Sequence, residues 1–167
     1  MAFAAATSPA DARGGTCPPP GWDRAKLEQL KAAKFEIADK RERERFAVAL
    51  VACFASPDPF LRDGIAFDAL SHMLRGEQLG AGVRVEIARD LLERLQGADP
   101  QGFEQPFAAL VLSEVVRADR IAAYLPRTLS DAIAGGAVSY VASVTDYRGF
   151  DEREGWRHGV AHGADLL

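Results

Sequence analysis

Two histidines and an aspartate near the C-terminal end of the chain have the spacing of side chains on one side of a helix. His158, His162 and Asp165 stand at positions i, i+4 and i+7, so a helix would place them within about 60° of one another around its axis. Continued back to Gly155, this helix carries an apolar stripe on its opposite side: Trp156, Val160 and Leu167. Two of the three histidines of the protein lie here, which makes the segment the first candidate for chemistry.

An imidazole pair with this spacing can bind a divalent metal ion, and a nearby carboxylate can supply a third ligand. The sequence therefore offers His158, His162 and Asp165 as metal ligands. Acidic residues of the preceding loop are further candidates: Asp146, Asp151, Glu152 and Glu154. The lack of an HExxH motif and of a second histidine pair favours a solvated polar face, or histidines stacked on a neighbouring helix. We therefore expect no cofactor and keep a divalent metal ion as the alternative.

Composition and charge limit the classes of protein to which the chain can belong. Its 167 residues suffice for one domain, and 48% of them are hydrophobic, as in ordinary globular proteins. A net charge of −4 disfavours a general affinity for the phosphates of nucleic acid. We expect no membrane-spanning helix, because no run of about 18 apolar residues is present.

The two cysteines carry little signal of their own. Cys17 and Cys53 lack the CxxC spacing of redox and metal sites. Cys53 falls on an apolar helical stripe, which favours a small buried hydrophobic side chain. Cysteine usage of this kind fits a cytoplasmic location.

The periodicity of the apolar residues is helical almost throughout. We predict a disordered or extended tail over residues 1–21 and one helical domain over residues 22–167. Asp23 and Asp39 have the position of N-caps for the first two helices. Further helices are predicted over residues 60–74, 83–95, 103–118, 121–125, 129–144 and the final segment from Gly155. The one stretch that leaves room for a strand is residues 140–147, which are rich in β-branched residues.

Two segments of the chain match each other and suggest an internal repeat. Residues 62–69 align with residues 157–164 with four of eight positions identical, at an offset of about two helix-pair units. Asp58-Pro59 before the first segment resembles the start of a HEAT-type helix. We therefore predict an all-α fold, a short HEAT-like α-α superhelix of stacked antiparallel helix pairs. The alignment makes Asp63 and His158 equivalent positions on one face.

Four stretches carry a resemblance to a known family. They are residues 56–66, 107–112, 147–150 and 155–165. Together they resemble the bacterial domain-of-unknown-function family 2785, and the resemblance extends from residue 22 to residue 167. Gln105-Pro106 departs from the Arg-Ser expected there. The resemblance implies a helical-repeat fold, no established activity, and further helices after the position of Leu167 in other members.

These patterns predict a function of binding rather than catalysis. We expect a scaffold that binds a protein or peptide partner along a face formed by Asp63, Arg148, His158, His162 and Asp165. Trp156 is expected in the core, and the alternative is that Trp156 and Tyr147 supply aromatic contacts to a partner. The apolar end of the final helix predicts a homodimer through the C-terminal end. The alternative function is a metal-dependent, hydrolase-like enzyme that uses His158 and His162, or His158 as a general acid–base with Asp165 or Asp63.

Overall fold

The structure, a computed structural model, describes residues 15–167. Within that range the regular secondary structure is helical except for one short hairpin. The helices are α1 (Arg24–Ala32), α2 (Lys40–Leu50), α3 (Asp68–Arg75), α4 (Ala81–Gln96), α5 (Glu104–Ile121), α6 (Arg127–Ser143) and α7 (Gly159–Leu166). A 3-10 helix, Val51–Ala55, continues α2, and a π-helix, Phe60–Phe67, leads into α3. The predicted all-α class is confirmed.

The first two helices begin where their capping residues predict. The Asp23 carboxylate accepts from the backbone N–H of Lys26, and the Asp39 carboxylate accepts from that of Glu42. Each aspartate thereby satisfies one of the N–H groups that a helix start leaves without a partner. These local signals sufficed to predict both starts.

The core lies around α5, the longest helix. It packs against α4, α7 and α3, while α6 covers α4 and α7. Its buried positions have a helical period, with Phe107, Val111 and Val115 in the core. α4 packs against α5, and α6 packs against α7, whereas the stacking of antiparallel helix pairs in a HEAT-like superhelix stays a prediction.

The helix predicted over residues 60–74 is divided into a π-helix and α3. Asp58 accepts from the backbone N–H of Phe60 and begins the π-helix. Along it Arg62, Ile65 and Ala66 are buried. Because Arg62 is charged and buried, it needs polar partners from other parts of the fold.

The chain leaves α5 by a turn rather than by the short helix predicted over residues 121–125. The Asp119 carboxylate accepts from the backbone N–H groups of Tyr124 and Leu125. This side chain holds the segment in a turn, and Pro126 then precedes α6. That short helix was therefore wrong.

The region after α6 departs most from the sequence-based prediction. Residues 140–143 are helical, and the hairpin lies later, with β1 (Phe150–Asp151) antiparallel to β2 (Gly155–Trp156). Gly155 has a φ of +76°, which a helix does not contain. His158 is left-handed (φ +50°, ψ +37°) and precedes α7. The final helix thus begins at Gly159, and the start predicted at Gly155 was wrong.

Cys17 and Cys53 form a disulfide. Cys53 is buried, as predicted, but the interpretation of it as an unbonded thiol was wrong. Of the predicted tail, residues 1–14 lie outside the described residues. Residues 15–21 are joined to the helical domain by this bond.

The matched segments of the predicted repeat have different backbones. Residues 62–69 are helical from the first residue, whereas Arg157 and His158 precede α7. None of the helices in the described part of the chain is long and apolar enough to cross a membrane.

Candidate binding cavity

A cavity of about 540 Å³ lies between the π-helix, α5, the hairpin and α7. We name it the histidine cavity. Its ionisable lining residues are Asp63, Asp68, His158, His162 and Asp165. Its other lining residues are Gly64, Phe67, Phe107, Leu110, Trp156 and Ala161. Four of the five residues of the predicted binding face therefore line one cavity.

Asp63 is fixed at the edge of this cavity by contacts from two sides. Its Oδ2 accepts from the backbone N–H of Trp156 at 3.0 Å, and its Oδ1 lies 2.7 Å from Nε of Arg62. Burial raises the pKa of Asp63, while the Trp156 N–H and the Arg62 charge act to lower it. The carboxylate therefore connects the π-helix to the hairpin and has little capacity left for a ligand.

Arg62 holds the other side of this connection. Its side chain is fully buried and donates to the carbonyl oxygens of Ser56 and Glu154. Its guanidinium carbon lies 4.0 Å from the centre of the Phe103 ring, within the range of a cation–π contact. Burial lowers the pKa of Arg62, and the Asp63 carboxylate opposes that shift.

His162 forms the buried wall of the cavity. Its side chain is only 9% exposed, and its ring meets that of Phe107 edge-on at 5.6 Å. Burial lowers its pKa to about 4, with the charge of His158 acting in the same direction and Asp165 and the Pro106 backbone opposing it. Its Nδ1 makes no hydrogen bond with any described residue. At neutral pH the ring is a neutral polar group with unused hydrogen-bonding capacity.

His158 and Trp156 form the adjoining wall, with the centre of the His158 ring 6.0 Å from that of His162. The rings of His158 and Trp156 meet edge-on with centres 4.6 Å apart, and Phe150 lies 4.9 Å from Trp156. Trp156 is 43% exposed and Phe150 is 58% exposed, so the prediction of Trp156 in the core was wrong. The hairpin places the indole at the mouth of the cavity because its own backbone N–H is bound by Asp63.

Arg148, the fifth residue of the predicted binding face, does not line the histidine cavity. Its side chain is exposed and paired with the Asp146 carboxylate at 2.6 Å, which lowers the pKa of Asp146 to about 2. Both residues line a separate, smaller cavity. Arg148 contributes to the site only through its carbonyl oxygen, which accepts from the backbone N–H of His158.

Of the aromatic part of the site, sequence reasoning identified only Trp156, and only as the alternative to a place in the core. Phe67 and Phe107 are spaced as helix core residues, and nothing local distinguishes them from others that are fully enclosed. Trp156 was assigned to the final helix, whereas it lies on β2 and pairs with Phe150. The two strands of this hairpin lack the alternation of polar and apolar residues from which a strand is predicted. Apart from its position in the matched segment 62–69, nothing in the sequence indicated that Asp68 lines the site.

The described residues of the cavity do not form a metal centre. Within residues 15–167 no group of three or more His, Cys, Asp or Glu side chains is placed to hold a metal ion. His158, His162 and Asp165 share the cavity, but His158 is outside α7, so the one-face spacing assumed for the three does not apply. The described residues therefore do not fit a bound metal ion.

Comparison with known proteins gives one match. The family model described as protein of unknown function, DUF2785, matches residues 91–167, which include α5, α6, the hairpin and α7. The chain has no significant match among curated proteins or solved structures. The matched region supplies His158, His162, Asp165 and Trp156, whereas Asp63 lies before it. Over residues 91–167, the chain is therefore similar to the DUF2785 family of proteins of unknown function.

Proposed function

We propose that the protein is a non-catalytic binding module whose histidine cavity receives a segment of a protein or peptide partner. The observation that carries this proposal is the wall of the cavity. Aromatic rings of Phe67, Phe107 and Trp156 surround a few polar groups that converge on the same space. A volume of about 540 Å³ lies within the range of ligand sites and exceeds one amino-acid side chain.

Two ionisable groups of the cavity, His162 and Asp63, are poorly suited to proton transfer. A histidine with a pKa of about 4, as His162 has, is a weak base at neutral pH. Asp63 is bound by Trp156 and Arg62. These features favour binding over the alternative, a metal-dependent, hydrolase-like enzyme that uses His158 and His162.

A pair of alanines on α7 supplies a sharp test. Ala161 lines the cavity, whereas Ala164 is exposed on the same helix and does not line it. Peptides selected from a random displayed library should bind the wild-type protein and the Ala164→Trp variant equally. Ala161→Trp places an indole in the cavity and should weaken the binding of these peptides at least about tenfold. Failure to select any peptide, or equal binding by both variants, would contradict the proposal.

Self-association is a second interaction that the surface favours. Apolar side chains are exposed near the C-terminal end, with Tyr147 at 79% and Val160 at 46%. A twofold homodimer through this end would cover them. Sedimentation equilibrium should show a dimer that Val160→Glu weakens, and a monomer at high concentration would exclude it.

The disulfide bears on cellular location. A cytoplasmic location was expected, but disulfides of structural type persist in oxidising compartments. The bond between Cys17 and Cys53 therefore favours an oxidising compartment. Thiol counting on protein trapped at lysis distinguishes the two locations.

A further inference from the structure

We infer that the partner segment enters the histidine cavity with a cationic side chain, that of a lysine or an arginine. This inference rests on the proposed peptide-binding function and names the group that the cavity selects. Three features of the lining carry it: one unbalanced carboxylate, an exposed aromatic face and a buried neutral histidine.

The charge balance of the lining is negative. Three carboxylates line the cavity, and none of its lining residues within 15–167 is a lysine or an arginine. Asp63 is balanced by Arg62, and Asp68 by Lys31 at 3.0 Å. The carboxylate of Asp165 makes neither an ion pair nor a hydrogen bond with any described residue. One negative charge therefore stays available to a ligand, and an anion would be repelled.

The aromatic wall suits the same ligand class. Trp156 is the best of the aromatic residues for cation–π contact, and its exposed ring borders the space lined by Asp165. The methylene groups of a lysine or arginine can pack on Phe67 and Leu110 while the charged end stays near the carboxylate. Phe150, exposed beside Trp156, extends the apolar area for residues flanking the cation.

The buried histidine gives the cavity a neutral wall. His162 is nine-tenths buried and lines the cavity, and its Nδ1 is enclosed without a hydrogen bond to any described residue. Because burial keeps the ring neutral at pH 7, His162 does not repel a cation that pairs with Asp165.

The test uses four peptides that differ only in their central residue: lysine, arginine, norleucine or glutamate. Binding is measured by NMR from the indole N–H signal of Trp156, and Trp22, which packs on Phe46 and does not line the cavity, is the internal control. We expect the lysine and arginine peptides to bind at least about fivefold more tightly than the norleucine peptide, and the glutamate peptide most weakly.

Variants assign the selectivity to the cavity. Asp165→Asn should weaken the binding of the lysine peptide about threefold and leave the affinity of the norleucine peptide unchanged. Asp131→Asn removes an exposed carboxylate from α6 and should change the affinity of neither peptide. Equal losses in both variants would overturn the inference, because the effect would then come from net charge alone.

The two proposals fail in distinguishable ways. If the norleucine peptide binds as tightly as the lysine peptide, the cation inference is overturned and the peptide-binding function stands. If no peptide shifts the Trp156 signal, both are overturned.

Discussion

Arg62 and Arg157 lie over the same aromatic ring, that of Phe103, with their guanidinium carbons 4.0 and 3.9 Å from its centre. These arginines occupy matched positions of the internal similarity, 95 residues apart in sequence. Arg62 donates to the Glu154 carbonyl and Arg157 to the Gln101 carbonyl. Together they bind the π-helix, the start of α5 and the hairpin into one unit. The geometry of the histidine cavity depends on this unit.

Removal of the buried arginine should destabilise the whole domain. Arg62→Met deletes hydrogen bonds to two carbonyl groups and leaves Asp63 without its charge partner, so we expect the free energy of unfolding to fall by about 3 kcal/mol. Arg127→Met, at an exposed ion pair on α6, should change it by less than about 0.5 kcal/mol. Urea unfolding of the two variants measures the difference, and equal stabilities would be inconsistent with a structural role for Arg62.

The hairpin should not tolerate a side chain at Gly155. A Cβ atom there would lie 2.5 Å from Oδ2 of Asp63, and the residue has a positive φ. We expect Gly155→Ala to cost about 2 kcal/mol or more and to broaden the NMR signal of the Trp156 indole. Gly135→Ala is the matched control, because open space surrounds that glycine inside α6. Gly135→Ala should raise the free energy of unfolding by up to about 1 kcal/mol. If Gly155→Ala were instead the more stable of the two variants, the packing of the hairpin against Asp63 would be refuted.

The burial of His162 makes stability depend on pH. Its pKa is about 4 in the folded protein against an ordinary value of 6.5, so between these values the unfolded chain binds a proton that the folded protein does not. Stability is therefore complete above pH 6.5 and declines as the pH falls toward 4, by about 3 kcal/mol from this group. In the His162→Phe variant, this part of the dependence of the free energy of unfolding on pH should be absent. An unchanged pH profile in the variant would show that His162 is not buried in this way.

The disulfide should contribute measurably to stability. Cys17 and Cys53 enclose a loop of 36 residues, and loop-closure entropy predicts that Cys17→Ser together with Cys53→Ser lowers the free energy of unfolding by about 3–4 kcal/mol. The urea midpoint of the wild-type protein should fall to that of the double variant when reductant is added. Two reactive thiols in the unreduced, denatured protein would contradict the bond.

Local signals in the sequence predicted local structure well. Asp23 and Asp39 cap helices because a carboxylate needs only the next turn of its own chain. His158, His162 and Asp165 line one cavity because they are within eight residues of one another, although the backbone between them differs from the one expected. The features that were missed require distant partners. The place of Trp156 depends on Asp63, 93 residues away, and the bond of Cys53 depends on Cys17.

The internal similarity supplied the most useful long-range information. Aligning residues 62–69 with residues 157–164 brought Asp63 and His158 to equivalent positions, and both line the histidine cavity. The same alignment gave no warning that Arg148 would point to a separate cavity. Its side chain is bound by Asp146, two residues earlier, a contact that periodicity does not report.

The most direct measurement is of where a bound peptide lies. Intermolecular NOEs should connect a selected, isotope-labelled peptide to the indole protons of Trp156 and to the methyl group of Ala161, both of which line the cavity. The account predicts these NOEs, and it predicts none to the methyl group of Ala164 on the same helix. NOEs confined to residues outside the cavity, with Trp156 and Ala161 unaffected, would contradict it.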